Sequence, residues 1–161
     1  MVIDERTVVL SQSHDMAEAS EVGWFAARQP GLLRFIEDRM AGDDDALAMA
    51  VDMCWRVTTA FERQRGLPLP RLLARDLERA EEEVVTESQG GLLLANGCAH
   101  RQPELCRWLE AMMASPSLPL ASRSLDQVAL VAAATISACD RAHVPSPVEL
   151  EPQHIAGALI E

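Results

Sequence analysis

Arg28-Gln29-Pro30-Gly31-Leu32-Leu33-Arg34-Phe35-Ile36-Glu37-Asp38-Arg39-Met40 returns, at an offset of 73 residues, as Arg101-Gln102-Pro103-Glu104-Leu105-Cys106-Arg107-Trp108-Leu109-Glu110-Ala111-Met112-Met113. Seven of the thirteen positions are identical, and an aromatic–aliphatic pair follows the second Arg in both. Recurrence at this spacing reads as a tandem repeat.

The likeness extends beyond the core match. A long helical segment follows each copy, ending at Phe61-Glu62-Arg63 and at Cys139-Asp140-Arg141. Two Pro-x-Pro turns come next, Leu67-Pro68-Leu69-Pro70 and Val144-Pro145-Ser146-Pro147, and Leu77 to Glu83 then parallels Ile155 to Glu161. The offset drifts to about 78, which places a short insertion near Ser115–Ala121. The units read as residues 14–88 and 89–161, each about 75 residues long.

Periodicity makes the chain all-α. Leu47, Ala50, Val51, Cys54, Val57, Thr58 and Phe61 recur at i, i+3, i+4, i+7 spacing. Asp43-Asp44-Asp45 caps this helix at its positive dipole end, and Arg63, Arg65 and Gly66 close it. Leu125, Val128, Ala129, Ala132, Ile136 and Cys139 form the equivalent face of the second copy, and their small side chains allow close helix approach near the centre of the molecule. Pro30 and Pro103 each open a helix, since proline pre-sets φ for a first turn. Arg6 to Leu10 reads as a short strand or an extended arm, and Glu81-Glu82-Glu83 as a solvated face. Two repeats bury little as an open solenoid, so a single domain over 1–161, a compact bundle with approximate internal symmetry, is expected.

Composition narrows the function classes. A formal net charge of −11 opposes binding to nucleic-acid backbones or anionic membranes unless the cations cluster on one face. All fourteen basic residues are Arg, which suggests the codon bias of a GC-rich bacterium. Met1 to Leu10 lacks the apolar run of a signal peptide, and no stretch reaches bilayer-spanning length. A cytoplasmic protein is the expectation, with Cys54, Cys98, Cys106 and Cys139 reduced.

No motif carries chemistry with specificity. Glu151-Pro152-Gln153-His154 is the one Glu-x-x-His spacing, Cys98-x-His100 has no second ligand pair, and phosphate loops and dinucleotide fingerprints are absent. No metal or cofactor is therefore assigned. Arg28, Gln29, Arg101 and Gln102 are candidate binding residues because Arg grips carboxylates and Gln both donates and accepts. The competing and stronger reading makes them helix-corner residues that satisfy free backbone groups. Arg34 with Glu37 and Arg107 with Glu110 read as repeated i,i+3 pairs. Trp24 and Trp108 lie near the repeated corners and are partner-binding candidates, although Trp is also a common core residue. Two functions follow: a non-enzymatic interaction domain that binds a protein partner or itself through an apolar groove, or a small-molecule or enzymatic domain with a pocket at the repeat interface lined by Trp24, Trp55 or Trp108.

Overall fold

The computed structural model describes residues 1–12, 19–88, 101–114 and 119–142, with side chains omitted for 9–12 and 19–22. Among the described residues there are seven helices and no strand: α1 (Glu5–Gln12), α2 (Ala19–Arg28), α3 (Pro30–Arg39), α4 (Asp44–Arg65), α5 (Ala74–Glu87), α6 (Pro103–Ala114) and α7 (Ser122–Ala142). None is long and apolar enough to cross a membrane.

The expected third helix is α4, with the caps its sequence carries. Asp43 accepts the Ala46 N–H at 2.9 Å, and Gly66 ends the helix at φ 71°, a left-handed conformation that favours glycine. Its buried face includes Met49, Met53, Cys54, Val57 and Phe61. Helix α7 is buried around most of its circumference from Val128 to Cys139, as an all-round apolar helix must be.

These two helices form the centre. Asp43 and Ser124 hydrogen-bond at 2.6 Å near their N-termini, and Cys54 and Thr135 meet at 3.3 Å further along. Both pairs are 81 residues apart, so α4 and α7 run parallel. Helix α1 packs on α4 and α6, while α5 packs on α7 and α3. One apolar cluster joins all these elements.

Several expectations are corrected. Residues 6–10 lie in α1, and only 1–4 are non-helical, because Asp4 caps the helix by accepting the Thr7 N–H at 2.7 Å. Glu81 and Glu83 are half-buried and not simply solvated: Glu81 pairs with Arg39 of α3, and Glu83 with Arg79 and with Arg141 of α7. Arg107 pairs with Glu104, one turn back, at 2.8 Å, where the sequence suggested Glu110. Cys54 and Cys139 are free and buried, whereas Cys106 is disulfide-bonded, which departs from the expectation of four thiols. The hinge at Gly90-Gly91, the Pro145–Pro147 turn and the terminal Ile155–Glu161 segment lie outside the described residues.

Candidate functional site

The two repeated glutamines hold the two non-helical segments. Gln29 follows α2 and is almost fully buried. Its Nε2 donates to the Pro70 carbonyl at 3.0 Å, and its Oε1 accepts the Leu72 N–H at 2.9 Å. Gln102 precedes α6 and is fully buried. Its Nε2 donates to the Met1 carbonyl at 2.8 Å, and its Oε1 accepts the Ile3 N–H at 2.9 Å. Each side-chain amide therefore pairs with residues n and n+2 of an extended segment, as a neighbouring strand would. Both glutamines satisfy backbone groups, but those of distant segments rather than of the adjoining helix ends. Gln102 also donates to Asp140 Oδ1 at 2.7 Å.

The arginines beside them differ from one another. Arg28 forms a two-point ion pair with Glu62, and its guanidinium lies 4.4 Å from the Trp24 ring centroid. Glu62 also accepts the Leu69 N–H at 2.9 Å, so one carboxylate ties α2, α4 and the segment before α5 together. Arg101 pairs with Glu87 at 3.2 Å. Glu62 and Asp140 lie in the last turns of α4 and α7, and their recurrence in Phe61-Glu62-Arg63 and Cys139-Asp140-Arg141 is the sequence signal for them.

The tryptophans separate more sharply. Trp108 is buried in α6 and Trp55 in α4. Trp24 is 63% exposed, the most exposed of the large apolar side chains described. It shares a cleft with Phe25, Arg28, Trp55, Thr58 and Glu62 whose cavity volume is about 30 Å³. Small-molecule pockets run to roughly 300–1,000 Å³, so this cleft has room for little beyond a water.

The cysteines offer no nucleophile among the described residues. Burial pushes the Cys54 thiol up to about 12 and raises Cys139 as well, so neither forms the thiolate that reacts. No three His, Cys, Asp or Glu side chains converge among the described residues. Cys98, His100, Glu151 and His154 lie outside them. Comparison with known proteins finds no matching family model, no matching curated protein and no matching solved structure.

Proposed function

We propose that this chain is a non-enzymatic helical interaction domain, built by internal duplication, that presents the Trp24 corner to a protein surface, either a partner's or that of a second copy. The single observation carrying this reading is the exposure of Trp24 with Arg28 stacked on its ring, over a cleft too small for a ligand. Trp and Arg are the residues on which interface energy concentrates. The ion pair to Glu62 holds the Arg28 guanidinium in place, which lowers the entropy lost on docking. Trp108, which stands at the place of Phe35 in the repeat, is buried as Phe35 is.

The two glutamine clamps support the duplication. They also favour a different phase for the repeated unit from the 14–88 and 89–161 division: each unit would begin at its extended segment, giving about 1–66 and 67–142. In that reading each glutamine grips the segment of the other unit, and the two units are interlocked. The first helix of each unit starts in the same register after its clamped segment, and the long helix starts about five residues later after its glutamine in the second unit. Val8 donates to Asp4 as Leu77 does to Leu73, and Leu47 donates to Asp43 as Leu125 does to Ala121.

The test is light scattering with size-exclusion chromatography over a tenfold concentration range, on the wild type and on Trp24→Ser. Mass that rises with concentration and falls back in the variant supports self-association through this corner. If the wild type stays monomeric, a photo-crosslinker at position 24 in cells should still join one defined protein. Failure of both overturns the reading.

A further inference from the structure

A second cleft lies where the segment before α5 meets the end of α7. Its volume is about 240 Å³, and Arg71, Arg79 and Arg141 line it with Asp76 over a floor of Leu72 and Ala138. We infer that this cleft is a binding site for a small organic anion bearing a phosphate or carboxylate group.

Charge is the first argument. The chain carries a net −11, yet three of its fourteen arginines converge here from three separate elements. The counter-charges do not absorb them. Glu83 is shared by Arg79 and Arg141, and Asp76, which offsets part of the repulsion on Arg141, also lies 3.9 Å from Arg75. Arg71 has no ion-pair partner among the described residues. Burial lowers the Arg141 guanidinium from its ordinary value, and the like charge of Arg79 lowers it further. An anion between these groups would relieve that repulsion with bidentate, charge-assisted hydrogen bonds.

The molecule also supplies an internal comparison, one that rests on the duplication proposed above. In the matching corner, Val2 stands at the place of Arg71, Thr7 at that of Asp76 and Gln64 at that of Ala142. There Thr7 donates to Gln64 at 2.8 Å and closes the corner with a neutral hydrogen bond. Arg63 keeps the place of Arg141, but the packing of segment, helix and helix does not require an arginine at the place of Arg71. A cation in the last turn of α7 is favoured by the helix dipole, which accounts for Arg141 but not for Arg71 or Arg79. The cavity is slightly below the usual range for drug-sized ligands, a fit for a compact anion whose carbon skeleton rests on Leu72 and Ala138.

The experiment uses the full chain, with inorganic phosphate and citrate as probes at constant ionic strength set by chloride. Backbone amide shifts at Leu72 and Ala138 are followed by NMR in the wild type, in Arg71→Gln/Arg79→Gln and in the control Arg34→Gln, whose side chain is exposed on α3. Both altered arginines are exposed, so folding should survive, and circular dichroism checks this. Saturable shifts at both amides that weaken about tenfold or more in the double variant and not in the control are expected; the tighter probe identifies the head group. Absence of saturation with both probes, or equal weakening in the control, overturns the site. Only the internal comparison falls with the duplication, whereas the probe titration tests the cleft directly, so the two readings can fail independently.

Discussion

The amide oxygen of Gln102 accepts the backbone N–H of Ile3 at 2.9 Å across 99 residues of chain. Its nitrogen is divided between the Met1 carbonyl and Asp140, so one fully buried side chain joins the start of the chain to the last turn of α7. Gln102→Ala leaves a buried N–H and a carbonyl without partners, and this should cost about 1–3 kcal/mol. Gln102→Met keeps most of the volume and should recover little of the loss, because the hydrogen bonds are what matter. Gln29→Ala should fall in the same range, since it releases Pro70 and Leu72. Denaturant midpoints at unchanged m-value would measure all three.

Gly31 and Gly23 both sit inside helices, and alanine should act on them in opposite directions. A Cβ on Gly31 would lie 2.5 Å from the Leu72 carbonyl oxygen, which is backbone held by the Gln29 clamp. Moving it strains that clamp, a cost of about 1–3 kcal/mol that outweighs the helix-propensity gain of roughly 0.5–1 kcal/mol. A Cβ on Gly23 meets nothing within 4 Å. Gly31→Ala should therefore lower the melting temperature, and Gly23→Ala should raise it slightly.

The contrast between the glycines shows what the sequence could and could not reveal. The helix faces were legible: Leu47 to Phe61 and Leu125 to Cys139 announce α4 and α7 through spacing, and Asp43 and Gly66 mark the ends of α4. These are local signals. The partner of Gln29 is 43 residues away and that of Gln102 is 99, and no local pattern encodes such distances. The same holds for the arginine cleft, whose members are spread over positions 71 to 141. Val8-Val9-Leu10 has the composition of a strand, yet residues 6–10 are helical because the carboxylate of Asp4 caps them. Trp108 stands at the place of Phe35 in the repeat and is buried like it, whereas Trp24 lies outside the match and its exposure is set by packing.

Cys54 and Cys139 should be silent towards thiol reagents in the native protein. Both are fully buried, and burial raises both thiols well above the solution range. Modification should therefore track unfolding, appearing at the denaturant concentration where circular dichroism is lost. Mapping the labelled peptides by mass spectrometry assigns the sites. Labelling of either cysteine under native conditions would show that the α4–α7 interface opens locally.

The link between Asp43 and Ser124 predicts an acid-side dependence of stability. The Ser124 hydroxyl, and after it the Ala46 N–H, hold the Asp43 carboxyl below its ordinary value of 3.8. A carboxyl depressed in the folded state favours folding above its unfolded value, and that contribution disappears as pH falls through the folded one. In wild type the contribution of Asp43 should thus be intact at neutral pH and fade only below about 3.8. Ser124→Ala removes the largest of the causes, so the Asp43 titration followed by NMR should move up towards 3.8 while remaining below it through Ala46. The variant should also melt lower than wild type at pH 7, with the gap closing at the acid end. An unshifted Asp43 titration in Ser124→Ala would mean that the hydroxyl does not bridge the starts of α4 and α7 in solution.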